Sequence, residues 1–264
     1  MSTPIDLHIH SSFSDGTDTP AELLEKVRAA KLEYFSLTDH DTQDGCRVLQ
    51  SLVRPEDGFI SGIELTCRTA FRKCHILGYN YRIGDDAMEQ ITRKLTDLRK
   101  QKLTNRLAAL KDEFSISFTQ QEEDELLAME SPGKVHIARL LVKYNYADSI
   151  DEAIKNYLNK LKIPKVSIDA AEAIRAIKQA GGVAVWAHPL GGEGETHLTP
   201  DDFYRQFDLL LQAGIEGLEC YYSRYDAREA SFLVSVAKEN NLHITAGSDY
   251  HGKNKTISLG GFWL

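Results

Sequence analysis

Two short stretches near opposite ends of the chain constrain it more than any other feature. The first is Asp6-Leu7-His8-Ile9-His10-Ser11-Ser12-Phe13-Ser14-Asp15-Gly16, and the second is Gly247-Ser248-Asp249-Tyr250-His251-Gly252. Each sets two metal-ligating side chains two residues apart. On a β-strand, residues i and i+2 point to the same face, so His8 and His10 can converge on one ion, as can Asp249 and His251. A lone His-x-His is common in β-rich proteins. Two such pairs, joined by single histidines and carboxylates elsewhere, read as parts of one metal site in an enzyme.

The remaining composition bounds the alternatives. The 264 residues suffice for one large domain or a domain with an insert. A formal net charge of -8 argues against coating long nucleic acid, which needs a basic surface. It leaves room for a small basic pocket that takes one phosphate. Cys46, Cys67, Cys74 and Cys220 form no C-x-x-C pair, so neither a zinc ribbon nor a thioredoxin-like motif is expected. Cys67 and Cys74 could face each other across a short hairpin, but free cytosolic thiols are the expectation. The first residues lack a basic segment followed by an apolar one, and no run approaches the ~18 apolar residues of a membrane helix. A soluble, cytoplasmic protein without a membrane partner is therefore expected. No G-x-G-x-x-G or Walker motif points to a nucleotide cofactor.

Strand and helix signals alternate at both ends of the chain. Strands are predicted over 4–10, 34–38, 59–66, 72–79, 183–187, 215–221 and 242–246. Helices are predicted over 20–31, 170–180, 201–213 and 226–240. Thr19, Pro20 and Glu22 supply an N-cap, N1 and N3 for the first helix. This alternation indicates an α/β protein with a parallel sheet or a β/α barrel. The middle differs. Ile91, Leu95, Leu98, Leu103, Leu107 and Leu110 recur near a 3.6-residue period across a long helix, 88–114, and shorter helices follow at 119–129, 134–144 and 149–159. Residues 1–84 and 161–264 are thus expected to form a barrel, and 85–160 a helical insert that shapes substrate access.

In a β/α barrel the reactive groups lie at the C-terminal strand ends. His8, His10, His40, Glu64, His188, Asp249 and His251 fall at or near such ends, Asp15 follows the first strand, and His75 lies on or beside the hairpin strand. Imidazole and carboxylate without thiolate suit Mn, Fe or Zn. Nine candidates exceed what one ion takes, so two or three divalent ions sharing a bridging carboxylate are expected. His197 and His243 join no motif. Asp39 and Asp41 flank His40, where one could orient a ligand or both could simply be solvated.

At these residues the chain resembles the polymerase and histidinol phosphatase (PHP) family of metal-dependent phosphoesterases. The resemblance extends through Leu37-Thr38-Asp39-His40-Asp41, Gly62-Ile63-Glu64, His75-Ile76-Leu77-Gly78-Tyr79 and Ala187-His188-Pro189, in the family's order. Gly133-Lys134-Val135-His136-Ile137-Ala138-Arg139 is similar to the insert of the family's small TrpH-like branch. The resemblance implies a distorted (β/α)7 barrel holding up to three ions, Mn first among them. It implies that His8, His10, Glu64 and Asp249 hold the first ion, and that Glu64 bridges to a second, which His75 and His188 also hold. Asp15, His40 and His251 would hold the third. His188 is preferred to His136 for the second ion because it ends a barrel strand.

The activity then expected is hydrolysis of a phosphate ester, with a hydroxide bridging two ions attacking phosphorus in line and Asp249, His251 or His40 managing protons. His136 and Arg139, at i and i+3, share a helix face and with Lys134 could cap a phosphate; the alternative is a solvated basic face. The family usually has Arg where Lys134 stands. Leu190-Gly191-Gly192-Glu193-Gly194-Glu195 is more acidic than the family's loop here. Arg224, beside Tyr221 and Tyr222, could touch a second phosphate, or the rings could pack at the barrel rim. The expected substrate is a small phosphorylated metabolite or nucleotide: a monoester, a nucleotide bisphosphate or a cyclic phosphate. The alternatives are 5'→3' trimming of short 5'-phosphorylated oligonucleotides, C–N bond hydrolysis, and a non-catalytic metal-binding domain.

Overall fold

A computed structural model describes residues 3–129, 131–164, 166–193 and 195–263. Met1 and Ser2, which entered the N-terminal reading, and Gly194 of the loop after His188 lie outside the described residues. Strand β1 (Pro4–Ile9) leads to α1 (Pro20–Ala29), β2 (Tyr34–Leu37) and α2 (Asp44–Gln50). The hairpin β3 (Phe59–Arg68) and β4 (Lys73–Tyr79) follows. Then come α3 (Asp86–Phe114), α4 (Gln120–Ala128), α5 (Lys134–Lys143) and α6 (Ile150–Ala153), which runs into a π-turn at Ile154–Leu158. The chain returns through β5 (Ile168–Asp169), α7 (Ala170–Gln179), β6 (Val183–Trp186), α8 (Pro200–Ala213), β7 (Gly217–Tyr222), α9 (Ala227–Glu239), β8 (His243–Gly247) and β9 (Phe262–Trp263).

The sheet runs β8-β7-β6-β4-β3-β2-β1-β9, with β5 beside the end of β3. Pairing is parallel except where β4 meets β3 and β6, and where β9 meets β1. The two ends of the chain close the sheet into a nearly complete barrel. Asp249 N donates to His8 O at 2.8 Å and His10 N donates to Tyr250 O at 2.9 Å. Gly247 permits this approach, since a Cβ there would stand 2.2 Å from the His8 Cβ. The buried Asp6 carboxylate ties the seam, accepting from Ser248 N at 2.9 Å, Ser248 Oγ at 2.6 Å and Gly260 N at 2.8 Å.

The elements form where local chemistry favours them. Thr19 and Glu22 make a reciprocal capping box at α1, behind Pro20 at N1. Gly214 ends α8 in the left-handed region at φ 88°. The antiparallel hairpin sets Cys67 opposite Cys74, with their sulfurs 3.7 Å apart. Three elements carried no legible signal: the short helix α2 and the two-residue strands β5 and β9.

Apolar side chains gather in separate clusters. Ile63, Leu65, Ile76, Trp186, Phe203 and Leu218 belong to the core between the sheet and its outer helices. A second cluster includes Leu103, Leu110, Leu126, Ile137, Leu141 and Leu158, all within the helical segment. The long helix α3 joins them: Met88, Ile91 and Leu95 pack on the barrel, whereas Leu103 and Leu110 pack among α4, α5 and α6. Among the described residues no helix is long and apolar enough to cross a membrane.

Candidate metal centre

Glu64 is the hub of the site. It lies in the middle of β3, is 1% exposed, and faces imidazoles from four other parts of the chain. Its Oε2 lies 3.3 Å from His8 Nε2, 3.3 Å from His10 Nε2 and 3.0 Å from His40 Nδ1. Its Oε1 lies 2.9 Å from His75 Nδ1 and 3.1 Å from His188 Nε2. His8 and His10 come from β1, His40 follows β2, His75 sits on the antiparallel β4, and His188 follows β6. Strand pleating brings His8 and His10 to one face, as their spacing requires.

Asp249 Oδ1 lies 3.4 Å from His10 Nε2, 3.7 Å from His8 Nε2 and 3.4 Å from His251 Nδ1. Asp15 Oδ1 lies 3.0 Å from His251 Nε2, and its Oδ2 lies 3.8 Å from His40 Nε2. The structure thus brings all nine expected donors into one cluster. Ligand atoms of His10, Asp15, His40 and His251 fall within 4.8 Å of one another, as do those of His8, His10 and Asp249, and those of His40, Glu64 and His75.

This donor set fits divalent metal ions. Buried polar atoms are almost always hydrogen-bonded. Yet His8 Nε2, His10 Nε2, His40 Nδ1 and His75 Nδ1 are buried without a hydrogen-bond partner, close to carboxylates but out of line with them. Five imidazoles around one carboxylate cannot all donate to it. A cation between nitrogen and oxygen satisfies both. No cysteine is among the groups, which suits ions that accept nitrogen and oxygen.

The charges of these side chains act strongly on one another. Burial opposes ionisation of Glu64, but His40, His75 and His8 hold its pKa well below the usual carboxylate range. Burial also opposes protonation of His10, yet Asp249 and Glu64 hold its pKa up at about 9. At His40 burial prevails over Glu64 and Asp15, so its pKa falls to about 3. Three residues at the site take positive φ without being glycine: Asp41 at 60°, His188 at 31° and Asp249 at 59°. Such conformations cost of order 1–3 kcal/mol each and persist where the surroundings hold them. Here Arg99 engages Asp41, Glu219 engages His188 N at 2.7 Å, and His8 O accepts from Asp249 N at 2.8 Å.

The expected phosphate-binding residues divide. His136 is buried on α5, with Nδ1 accepting from Gly133 N at 2.9 Å, and lies close enough to Asp15 to feel its charge. Burial pushes its pKa down to about 4, against Asp15. Lys134 is half-buried and donates to Asn159 Oδ1, and Arg139 is exposed. Arg224 lies elsewhere, at the end of β7, paired with Glu193. Tyr222 is buried and donates to Asp249 Oδ2 at 2.9 Å, whereas Tyr221 is 36% exposed.

Several neighbours of the donors carry no motif. Glu219 is fully buried and binds His8 Nδ1 at 2.8 Å through Oε1 and His188 N at 2.7 Å through Oε2. A lone carboxylate in the apolar strand Leu218–Cys220 was its one visible signal. Lys255 Nζ donates to Asp249 Oδ2 at 2.6 Å from a loop beyond the last motif. Ser11 and Ser14 engage Asp39, whose Oδ1 accepts from Ser11 N at 2.8 Å and Ser14 Oγ at 2.6 Å, so Asp39 braces the first motif's loop. Asp41 Oδ1 accepts from Thr66 N at 2.6 Å.

A barrel whose strand ends gather imidazoles and carboxylates around one buried glutamate defines a metal-binding hydrolase of the β/α-barrel class. A family model described as the PHP domain matches residues 6–171, and the chain belongs to this family. It is 29% identical to a 5'-3' exoribonuclease of Haemophilus influenzae over 98% of this chain and 94% of that one. It is 28% identical to a phosphoribosyl 1,2-cyclic phosphate 1,2-diphosphodiesterase of Eggerthella lenta, over 97% of both chains. A solved structure from Bifidobacterium adolescentis, proposed to be a metal-dependent phosphoesterase, superimposes with a TM-score of 0.81 at 27% identity, covering 97% of this chain and 90% of that one.

Proposed function

We propose that the protein is a phosphoesterase that hydrolyses a small phosphorylated metabolite or nucleotide at the Glu64 centre. The observation that carries this is the convergence of five imidazoles on the Glu64 carboxylate, with four buried nitrogens unpartnered by protein. His8, His10, Glu64 and Asp249 would hold one ion. His75 and His188 would hold a second with Glu64, and Asp15, His40 and His251 a third. Mn is the ion of choice, with Fe or Zn accepted by the same donors. Divalent ions in such a cage lower the pKa of bound water and neutralise charge on phosphoryl oxygens.

The protein's own groups supply orientation and proton control. Glu219 holds His8 Nδ1, so His8 presents Nε2 to the centre. The backbone carbonyl of Asp249 likewise accepts from His251 Nδ1 at 2.8 Å, which turns His251 Nε2 toward Asp15. Tyr222 and Lys255 both bind Asp249 Oδ2 and leave Oδ1 facing the imidazoles. Burial keeps His40 neutral, so its ring has a lone pair to offer a cation. The leaving oxygen takes its proton from water, and Asp249, His251 or His40 would orient that water at the centre. Residues 85–160 act as the selective part, with Lys134, His136 and Arg139 of α5 turned to the substrate phosphate.

A second reading within the class is 5'→3' removal of nucleotides from short 5'-phosphorylated oligonucleotides. The likeness to an exoribonuclease along nearly the whole chain favours it. The test is phosphate or nucleotide release by Mn-loaded protein from four compounds: a simple phosphomonoester, a nucleoside 3',5'-bisphosphate, a ribose cyclic phosphate and a 5'-phosphorylated trinucleotide. The Asp249→Ala protein serves as blank. Turnover of one member names the leaving group. Turnover of none by metal-loaded protein, with cleavage of an amide or amidine instead, would replace the phosphoesterase reading with C–N hydrolysis. A rate that falls steeply with salt selects the oligonucleotide.

A further inference from the structure

The four cysteines are buried free thiols that the metal centre does not use. Two of them stand alone. Cys46 Sγ lies against the carbonyls of Leu37 and Gly62, and Cys220 is fully buried on β7. The other two are a pair. Cys67 of β3 is the register partner of Cys74 of β4, and their sulfurs are 3.7 Å apart. Directly opposed residues of an antiparallel pair have Cα atoms about 4.5–5.5 Å apart, inside the range of about 4.4–6.8 Å that a disulfide spans. The hairpin has thus set two thiols where one bond can join them.

Two small core side chains could serve packing alone, but this pair has an entrance and a neighbour. Cys67 is fully buried, whereas Cys74 is 8% exposed and lines a small cavity with Arg72, His75, Trp186, His188 and Leu198. A solute in that cavity meets Cys74 beside two of the nine donors. Strand alternation puts Cys67 and Cys74 on the apolar outer face, with Leu65 and Ile76. The next register pair, Thr66 and His75, points the other way, and His75 Nδ1 lies 2.9 Å from Glu64 Oε1. Joining the sulfurs closes their gap from 3.7 Å to about 2.05 Å. Side-chain rotation takes up part of that, and a pivot of the two strands takes up the rest. His75 rides on that pivot, and metal ligands tolerate displacements of only about 0.5 Å.

We propose that Cys67 and Cys74 are a redox modification site: a hydroperoxide converts them to a cross-strand disulfide, which displaces His75 from Glu64 and weakens the centre's hold on metal. The Cys74 sulfur attacks one peroxide oxygen, the O–O bond breaks, and the thiol proton leaves with the departing hydroxide as water. The Cys67 sulfur then attacks the sulfenic sulfur of Cys74. The S–S bond forms, the S–OH bond breaks, and the Cys67 proton leaves with that hydroxide as a second water. Two thiols lose two protons and two electrons, and the peroxide is reduced to water. Thiol exchange with an external dithiol reverses the step. The closed loop is short and already held by the strand ladder, so the bond adds little stability. That suits a bond made and broken in use rather than a permanent staple. The effect on metal rests on the Glu64 centre, but not on which ester it hydrolyses.

The test treats Mn-loaded protein with hydrogen peroxide, alkylates the remaining thiols in denaturant and maps the peptides by mass. The expected product joins the Cys67 and Cys74 peptides, lighter by two hydrogen atoms, with Cys46 and Cys220 alkylated. Cys67→Ala should instead leave Cys74 as a sulfenic acid that dimedone traps, and Cys74→Ala should leave Cys67 a free thiol. Titration with Mn should show about 10-fold weaker affinity in the cross-linked wild type, recovered on reduction by a phosphine, and no effect of peroxide on Cys74→Ala. Should either variant fail to fold, the wild-type link and its reversal by the phosphine carry the test. Absence of the link, or a link that leaves Mn affinity unchanged, overturns the proposal. A loss of affinity that persists in Cys74→Ala overturns it too, because oxidation elsewhere would then be the cause. None of these readouts uses turnover, so absence of ester hydrolysis by the reduced, Mn-loaded protein would defeat the phosphoesterase reading and leave the redox site standing.

Discussion

At the strand ends of the barrel the ionisable groups are short, buried and held from two sides; along the outer half of α3 they are long, half-exposed and held weakly or not at all. His8 illustrates the first kind, with Nδ1 fixed by Glu219 and Nε2 aimed at Glu64. Lys102 and Arg106 illustrate the second. Groups that do chemistry must be placed to within a fraction of an ångström, and rigid strands with supporting hydrogen bonds provide that. Groups that choose among substrates tolerate flexible stems and a less constrained backbone. On the proposed function the contrast would separate reaction from selection, and each part can be perturbed alone.

The largest effect is expected at the hub. Glu64→Gln keeps the size of the side chain but removes the charge that faces five imidazoles. Support residues around a metal typically contribute 10–100-fold, so loss of a direct carboxylate should cost more than about 100-fold in turnover, with metal content falling in parallel. Elemental analysis of purified protein beside a phosphate-release assay checks this. Retention of both full metal content and full rate would remove Glu64 from the centre.

A smaller loss, about 10–100-fold in metal affinity, is expected for Glu219→Gln, which can still accept from His8 but no longer carries charge. Metal titration of the apoprotein measures it. An affinity equal to wild type would reduce Glu219 to a packing role. The same titration tests the cage electrostatics. With its pKa at about 9, His10 holds a proton at neutral pH in the metal-free protein, despite its burial, because Asp249 and Glu64 outweigh that burial. Stability from that proton is complete below the unfolded value near 6.5 and is lost as pH rises through about 9. Metal uptake at pH 7 should therefore release protons, and uptake at pH 10 far fewer. Calorimetry in two buffers of different ionisation enthalpy reads the number, and equal release at both pH values would refute the coupling.

Much of the candidate centre's geometry was legible because it follows the simplest rule in the chain. His8 and His10 share a face through strand periodicity, and the strand-end positions of His40, His188 and Asp249 follow from β/α alternation. Glu219 was less legible, since a single acidic residue in a strand has no partner in sequence; its partners come from β1 and from the turn after β6. Lys255 and Arg99 were invisible. One lies beyond the last motif, and the other is one charge among many on a long polar helix. The barrel's closure was likewise hidden, because it depends on Gly247 letting β8 pass close to His8 and on Asp6 binding Ser248. The helices of the middle segment were readable from apolar period alone. That α3 packs its first half on the barrel and its second half among α4–α6 was not, because a period marks a face and not what covers it.

Stability rather than turnover should report on the helical cluster. Leu141 is fully buried there. Leu141→Ala should lose about 2–5 kcal/mol, as large-to-small core changes do. Metal content should stay at the wild-type level, because none of the nine donors belongs to that cluster. Denaturant unfolding with metal analysis on the same sample checks both parts. Loss of metal along with stability would mean that the two regions unfold as one unit, and the separation of reaction from selection would then be functional only.

The smallest effect is expected at Arg224. Its guanidinium is bound to Glu193, and Glu193 lies 3.6 Å from Lys255, which in turn binds Asp249. Arg224 therefore sits three ion pairs from Asp249, and its own pair is substantially exposed. Exposed ion pairs contribute roughly 0–1 kcal/mol. Arg224→Ala should change kcat/KM by no more than about 5-fold, since 1.4 kcal/mol corresponds to tenfold. Lys255→Met is the informative partner, because it removes the cation that binds Asp249 itself and should cost more than Arg224→Ala in rate and metal content. A loss of about 100-fold or more at Arg224 would instead support a substrate phosphate held on the β7 side of the barrel.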